Sequence, residues 1–259
     1  GTYNYVISCS GYKSVKGSFT VEAQAVQIQA YTLEVQTAWD GENYTEPQKN
    51  ESGAYLIGSP DELMWFDKHA QMTDSAVLTA DITINEDVNA EATGLYKWTP
   101  VGTSASRYAG TFDGDGHTIS GLYVAVTGSV STAKYAGLFG YAGKGSKISN
   151  LTISDSVVSA SGNYAGAVAG EAYDMENCHV TDSVTVSAQN YAGGVAGYVD
   201  GSILTSSNKG KVTASGNYAG GVTGYVYGSG STAMTQCYNS GAVTGAKQVG
   251  GLAGSLYSG

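Results

Sequence analysis

The segment Tyr191–Tyr198 reads YAGGVAGY, and variants of this phrase recur along the second half of the chain. The other copies are YAGGVTGY at Tyr218–Tyr225, YAGLFGY at Tyr135–Tyr141, YAGAVAG at Tyr164–Gly170, QVGGLAG at Gln248–Gly254 and the shorter YAGTF at Tyr108–Phe112. Successive copies begin 27, 29, 27, 27 and 30 residues apart. A near-constant period of this length is the signature of a repeat architecture, in which each repeat forms one structural unit.

Each repeat contains two further short apolar segments after its glycine-rich phrase. The first is ISNLTI at Ile148–Ile153, with equivalents that begin at Met175, Ile203 and Met234. The second begins at Val157, Val184, Val212 and Ala242. None of these segments has the length or the 3.6-residue period of a helix. Three short strands in a coil of about 27 residues predict a parallel β-helix, or β-solenoid, whose coils stack about 4.8 Å apart.

The alignment of the repeats predicts which side chains stack inside the solenoid. One inward ladder is expected from Leu138, Val168, Val195, Val222 and Leu252, and a second from Ile148, Met175, Ile203 and Met234. Cys178 and Cys237 occupy equivalent slots two coils apart, at about 9.6 Å, which exceeds the reach of a disulfide. Both are therefore predicted to be small buried hydrophobic residues that are not joined by a disulfide. The glycines are predicted to serve coil corners, where φ is positive or the backbone approaches closely.

The residues before the repeats predict a cap and a smaller module. Ser59-Pro60-Asp61-Glu62 is typical of a helix start, and it predicts an amphipathic helix at about residues 60–71 that covers the open end of the solenoid. The segment AVLTADITI at Ala76–Ile84 is expected to be one strand that begins the first coil. We therefore divide the chain into a partial β-sandwich-like module at 1–36, a linker at 37–54 and the β-helix at 55–259, with repeats from about residue 105. Within the first module, strands are expected at Tyr3–Cys9, Lys16–Val21 and Val26–Val35.

The charge distribution excludes several classes of partner. The formal net charge is −10 over 259 residues, and charged residues make up only 13% of the chain. No cluster of basic residues is present, so neither nucleic acid nor an anionic membrane is an expected partner. No apolar run reaches the 18 or so residues that a membrane-spanning helix needs, so membrane insertion is not expected.

The order of motifs from about residue 38 onward resembles that of the GLUG-repeat proteins. The matching motifs are AWDG at 38–41, YLIGSPDELMWF at 55–66, GTFDGDGHTISGL at 110–122 and the repeated YAGGVAG phrase. That family comprises large bacterial cell-surface and secreted proteins, adhesins and IgA-protease-type polypeptides among them. The resemblance implies a right-handed parallel β-helix in an extracellular or cell-surface protein. Tyr3–Val35 resembles the tail of an Ig-like or carboxypeptidase-regulatory-like module.

The sequence lacks a complete motif for a zinc peptidase, a calcium loop or a glycosidase. The histidines, His69, His117 and His179, do not have the i, i+4 spacing of a zinc peptidase. Asp113 and Asp115 form part of a calcium-loop pattern. Such a loop needs an oxygen ligand at position 5 and a glutamate at position 12, where this chain has His117 and Val124. A Gly/Asp turn is therefore the favoured interpretation, and a cation site is the weaker one. The acidic residues of the coils are scattered, whereas a glycosidase needs two facing carboxylates. We therefore expect no enzymatic activity and no cofactor.

Tyrosines form the main candidate ligand face. The phrase places Tyr135, Tyr164, Tyr191 and Tyr218 in one slot and Tyr141, Tyr198 and Tyr225 in another. Aromatic rows can contact sugars or anchor a protein partner, or they can simply stabilise the coils. The expected function is that of a non-catalytic structural or adhesive segment, with a host or cell-wall glycan or a protein as its partner. The alternatives are a carbohydrate-binding module and a carbohydrate-active β-helix enzyme of the polysaccharide lyase or glycosidase type.

Overall fold

The computed structural model describes residues 2–7, 15–20, 38–89, 91–127, 135–228 and 233–258. Short strands and one helix precede the repeats: β1 (Thr2–Ile7), β2 (Val15–Thr20), β3 (Tyr55–Ile57), α1 (Pro60–His69), β4 (Ala76–Leu78), β5 (Ile82–Thr83), β6 (Thr111–Asp113), β7 (Thr118–Ser120) and β8 (Tyr123–Val126). The repeats then form β9 (Tyr135–Ala136), β10 (Phe139–Ser154), β11 (Val157–Ala160), β12 (Tyr164–Ala165), β13 (Ala169–Val180), β14 (Thr185–Ala188), β15 (Tyr191–Gly193), β16 (Ala196–Leu204), β17 (Ser207–Asn208), β18 (Lys211–Ala214), β19 (Tyr218–Gly220), β20 (Thr223–Gly228), β21 (Met234–Thr235), β22 (Tyr238–Asn239), β23 (Val243–Gly245), β24 (Val249–Gly250) and β25 (Ala253–Ser258).

The repeat strands stack into a β-solenoid, which confirms the predicted fold class. One sheet follows the order β25-β20-β16-β13-β10-β6-β4-β3, with β5, β7, β17, β21 and β22 attached to this path. The other two sheets follow β23-β18-β14-β11-β8 and β24-β19-β15-β12-β9. Pairing within these stacks is parallel, and equivalent residues of the repeats face each other, as Tyr164 faces Tyr191 and Tyr191 faces Tyr218. Each coil therefore lies on the previous one in the register that the sequence repeat predicts.

The predicted inward ladders form the core of the solenoid. Ile148 pairs with Met175, Met175 with Ile203 and Ile203 with Met234, and the first three are fully buried. In the other ladder Leu138, Val168, Val195 and Val222 are buried, but Leu252 is 40% exposed. Leu252 lies in the last coil described, where no other described coil packs over it. Burial in a solenoid requires a neighbouring coil on both sides, so this ladder is shorter than predicted.

Of the two roles predicted for glycine, close backbone approach is found in the repeated phrase, whereas a left-handed corner of the coils uses other residues. Within the repeats, one corner is a column of non-glycine residues in the left-handed region: Asn150, Asn177, Thr205 and Gln236, with φ of 53°, 53°, 50° and 54°. The glycines of the repeated phrase instead permit close packing of coils. A Cβ on Gly193 would lie 2.0 Å from the carbonyl oxygen of Ala196 and 2.5 Å from the Cα of Thr223. Only hydrogen fits at that distance, so the phrase keeps glycine there.

Helix α1 covers the end of the solenoid that precedes the repeats. Ser59 caps it by accepting a hydrogen bond from the backbone N–H of Glu62, and the Glu62 carboxylate in turn accepts one from the N–H of Gly58. The buried face of the helix includes Leu63, Met64 and Phe66, and the Phe66 ring lies 6.2 Å from that of Phe112 in β6. The segment predicted as one strand, 76–84, is instead two, β4 and β5, with a break at residues 79–81.

The first residues form a separate antiparallel hairpin of β1 and β2. Strands were predicted at Tyr3–Cys9 and Lys16–Val21, and the observed strands overlap both. The third predicted strand, Val26–Val35, lies outside the described residues. In the segment expected to be a linker, Trp39 is buried and its ring contacts Tyr96 at a centroid distance of 4.3 Å. Across the described ranges, no helix is long and apolar enough to cross a membrane.

Cys178 and Cys237 are free thiols, in agreement with the predicted register, but only Cys178 is buried as predicted and Cys237 is half-buried. Cys178 pairs with Leu151 across β10 and β13 and is fully buried. Its thiol points to the carbonyl oxygen of Ile148 at 3.6 Å, and burial raises its pKa to about 12. The Cys178 thiol is therefore a small core group that stays protonated.

Candidate functional site

The first column of the tyrosine face lies on β9, β12, β15 and β19. Centroids of the successive rings of Tyr135, Tyr164, Tyr191 and Tyr218 are 5.0, 4.8 and 4.8 Å apart, with interplanar angles of 10–12°. The coil spacing imposes these distances, because each strand carries one tyrosine at the same register position. Since the ring faces cover each other, the rings of this column are accessible mainly at their edges. All four side chains are half-buried.

A second column of tyrosines lies beside the first, with its ring planes nearly perpendicular to those of the first column. Tyr198 and Tyr225 stack at 5.3 Å with an interplanar angle of 3°, and their rings meet Tyr191 and Tyr218 edge to face. Tyr141 occupies the same slot but does not continue this stack, because Glu171 stands between it and Tyr198 in the register. The predicted second column is therefore interrupted by a carboxylate. We call the seven tyrosines and Glu171 the tyrosine face.

Glu171 is buried, with 8% of its surface exposed. Its carboxylate accepts hydrogen bonds from the hydroxyls of Tyr141 and Tyr135. The charged groups that act on it are Asp200 and Arg107, and the Arg107 guanidinium lies over the Tyr141 ring at 4.8 Å. A carboxylate with little access to water is thus held by phenol donors and a nearby cation, as a buried charge requires.

Burial dominates the titration of this cluster. It raises the pKa of Glu171, the charge of Asp200 adds to that rise, and the tyrosine hydrogen bonds and Arg107 oppose it. Burial likewise raises the pKa of Tyr164 to about 12, and the Glu171 charge adds to the rise. For Tyr141 burial again comes first and the hydrogen bond to Glu171 second, which together raise its pKa to about 12. Tyr141 and Tyr164 are therefore neutral hydrogen-bond donors at neutral pH.

The asparagines that precede the first column form their own ladder. The Asn190 amide donates to the Asn163 oxygen at 2.7 Å, and Asn217 donates to Asn190 at 3.1 Å. These bonds run parallel to the tyrosine column and fix the turn that leads into each of its strands. The column is consequently a rigid part of the solenoid wall.

The weaker cation candidates, Asp113 and Asp115, lie in a turn between β6 and β7. The Asp113 Oδ1 atom accepts hydrogen bonds from the backbone N–H of Asp115 at 3.0 Å and from the Asn150 amide at 2.9 Å. Asp115 and Gly116 both have positive φ, as a tight turn needs. In the described part of the chain, no group of three or more His, Cys, Asp or Glu side chains is arranged to hold a metal ion.

Two functional candidates were missed by sequence reasoning, Glu171 and Arg107. An alignment of the phrases could have revealed Glu171, since YAGAVAGE places it in the slot of Tyr198 in YAGGVAGY. No repeat signal marks Arg107, because it precedes the shortest copy of the phrase. Other coil carboxylates are engaged by neighbouring coils: Glu176 pairs with Lys147 at 2.6 Å, and Asp174 accepts from Ser202.

Comparison with known proteins finds a structure of similar fold and no matching family. No family model matches the chain, and no curated protein matches it. The chain is similar to the 1.30 Å crystal structure of a putative immunoglobulin A1 protease from Bacteroides ovatus, with a TM-score of 0.65 and 22% sequence identity. The match covers 83% of this chain and 65% of that one. This likeness shows a shared fold, and the chain spans about 65% of the length of the protein it matches.

The comparison contradicts the expectation that the chain is not an enzyme. That expectation rested on missing zinc-peptidase and glycosidase motifs, and a solved structure of this fold bears the name of a protease. The absence of a linear motif does not exclude catalysis in this fold. A parallel solenoid brings residues about 27 positions apart into direct contact, so catalytic groups can be neighbours without forming a linear motif.

Proposed function

We propose that the chain is a binding segment of a bacterial surface or secreted protein, and that its solenoid presents the tyrosine face to a glycan. The observation that supports this proposal is the first stacked column, a row of half-buried phenol side chains with a repeat of 4.8–5.0 Å. A glycan chain offers hydroxyl groups at a regular repeat along an extended polymer. Tyrosine is well suited to such contacts, since it is amphipathic and loses little conformational entropy on binding.

A protein partner would use the same surface differently. Protein interfaces bury ring faces in pockets, whereas the ring faces of the first column are already covered by neighbouring tyrosines. Recognition through edges and hydroxyls therefore favours the glycan. Rigidity contributes as well, because the stacked coils and the Asn163–Asn190–Asn217 ladder hold the hydroxyls in place before binding.

A glycan array probed with the chain tests this proposal. The double variant Tyr191→Ala/Tyr218→Ala should lose binding, because it breaks the first column in two adjacent coils. Tyr191→Phe/Tyr218→Phe should also weaken binding, since it keeps the stack and removes only the hydroxyls. Tyr123→Ala is the matched control, because Tyr123 lies on β8 in a different sheet. Absence of array binding, or equal loss in the control, would overturn the proposal.

The name of the structural neighbour suggests a second candidate function, cleavage of immunoglobulin A1. Incubation of the chain with immunoglobulin A1, followed by electrophoresis of the heavy chain, tests it directly. Heavy-chain fragments that appear with the chain and not with buffer would support this function, and intact heavy chain after prolonged incubation would refute it for this segment. The tyrosine variants serve as a reference, since loss of glycan binding need not affect cleavage.

A further inference from the structure

A continuous chain of side-chain hydrogen bonds crosses four coils of the solenoid. The Asn150 amide donates to Asp113 Oδ1 at 2.9 Å, and the Asn177 amide donates to Asn150 Oδ1 at 2.9 Å. The Nε2 atom of His179 lies 2.9 Å from Asn177 Oδ1, and its Nδ1 atom lies 2.9 Å from the Ser207 hydroxyl. The coil stacking creates this chain, since His179 and Ser207 face each other across β13 and β17.

The carboxylate at one end fixes the direction of every bond in the chain. An ionised carboxylate only accepts hydrogen bonds, so Asn150 must turn its NH₂ group toward Asp113 and its oxygen toward Asn177. By the same reasoning Asn177 turns its oxygen toward His179, and the Nε2 atom of His179 must carry the proton. The neutral ring then has its lone pair on Nδ1, where it accepts the hydrogen bond of the Ser207 hydroxyl.

The surroundings of His179 keep the ring neutral. Burial lowers the pKa of His179, and the positive charge of Lys209 lowers it further. The neighbouring strands present Thr152 on one side and Ser207 on the other, and both are uncharged. The ring is therefore unprotonated at neutral pH, as a general base must be.

We propose that Ser207 is a catalytic nucleophile, with His179 as its general base and Asn177 as the residue that positions the histidine. The arrangement satisfies the geometric requirement of a nucleophile within hydrogen-bond distance of a base that a third group orients. The three residues come from β13 and β17 and are 2, 28 and 30 positions apart, so no linear motif reveals them. Their chemistry corresponds to acyl transfer from an ester or an activated amide.

The reaction proceeds in two balanced steps. The Ser207 oxygen attacks the acyl carbon while its proton passes to Nδ1 of His179, and the tetrahedral intermediate collapses as that proton moves to the leaving alcohol. Water then attacks the acyl-serine, gives its proton to His179 and releases the acid as the proton returns to Ser207.

The surface around Ser207 indicates the form of the substrate. Ser207 is half-buried, and the next coil places Tyr238 beside it with 61% of its surface exposed. An open strand surface suits an acyl group carried on an extended polymer or polypeptide more than a small molecule enclosed in a pocket. Tyr238 provides an aromatic contact for the portion of the substrate that flanks the acyl group.

Covalent labelling with a fluorophosphonate probe, followed by peptide mass spectrometry, tests the nucleophile. We expect the modification on Ser207 in the wild-type chain and its loss in Ser207→Ala and in His179→Gln. The wild-type chain should also hydrolyse p-nitrophenyl acetate at least tenfold faster than either variant. Ser187→Ala is the matched control, because Ser187 is a half-buried outward serine of β14 in another sheet. Equal labelling of wild type and Ser207→Ala would overturn the proposal.

A second measurement separates positioning from simple structural support. Asn177→Asp places a negative charge beside the ring nitrogen that bears the proton, which stabilises the imidazolium and raises its pKa. The acidic limb of the pH–rate profile for p-nitrophenyl acetate should therefore move to higher pH in this variant. An unchanged profile with native thermal stability would refute the role of Asn177. Neither outcome depends on glycan binding, which the tyrosine variants report separately.

Discussion

Thr205 is a β-branched residue held in the left-handed region, with φ of 50°. Non-glycine residues pay about 1–3 kcal/mol in such conformations, and β-branched residues are among the least suited to them. The equivalent positions of the two preceding coils carry Asn150 and Asn177 at φ of 53°, and asparagine tolerates this region well. We therefore expect Thr205→Asn to stabilise the chain.

The structure limits what else the substitution changes. The Thr205 side chain is exposed, and its backbone N–H donates to the carbonyl of Thr235 at 2.9 Å, a bond that the variant keeps. Relief of backbone strain is thus the dominant effect, at about 1 kcal/mol. For a domain of this size, such a gain raises the unfolding temperature by about 2–4 °C. Thermal unfolding followed by circular dichroism at a fixed scan rate measures it.

Two control variants isolate the backbone effect. Thr205→Ala removes the β-branch but keeps a Cβ that is disfavoured at positive φ, so it should gain less than Thr205→Asn. Thr152→Asn makes the same exchange in β10, where extended backbone favours threonine, and it should be neutral or destabilising. A Thr205→Asn variant no more stable than wild type, or an equal gain at Thr152, would refute the reasoning.

Two further predictions concern buried titratable groups. Because the pKa of Glu171 is raised in the folded state, the native protein binds more protons than the unfolded chain between the usual value of 4.5 and the folded pKa, so stability falls as pH rises through that window. Glu171→Gln should abolish this dependence of stability on pH. The unfolding temperature of the variant should therefore rise relative to that of the wild type as the pH goes from acid to neutral. A difference in unfolding temperature that stays constant with pH would contradict the prediction. In a Cys9→Ser background, a thiol reagent should modify the half-buried Cys237 in the native state and Cys178 only after unfolding, since Cys178 is fully buried. Rapid native modification of both thiols would show that the register of the core is wrong.

The period of the glycine-rich phrase was sufficient to predict the solenoid. Parallel stacking places equivalent residues in contact, so the alignment of Ile148, Met175 and Ile203 in the sequence is also their contact pattern in the core. The start of α1 was equally predictable, because capping is a local interaction between Ser59 and the first helical turn. The free thiols of Cys178 and Cys237 followed from the same register.

The tertiary structure decided the features that depend on neighbours outside a repeat. Leu252 matches the ladder in sequence and is exposed, because burial depends on a coil above it. The left-handed corner at Thr205 was hidden because composition pointed to glycine, whereas close packing of coils is what requires glycine at Gly193.

The sequence by itself determined the architecture and the row of tyrosines, since both repeat with the period of the chain. Only the folded coils decided which polar groups meet between neighbouring strands. Glu171 becomes a buried carboxylate because Tyr141 and Tyr135 enclose it from the adjacent coil, and His179 meets Ser207 because their strands pair. A repeat specifies the stacking, and the residues that depart from it acquire their chemistry from the coils on either side.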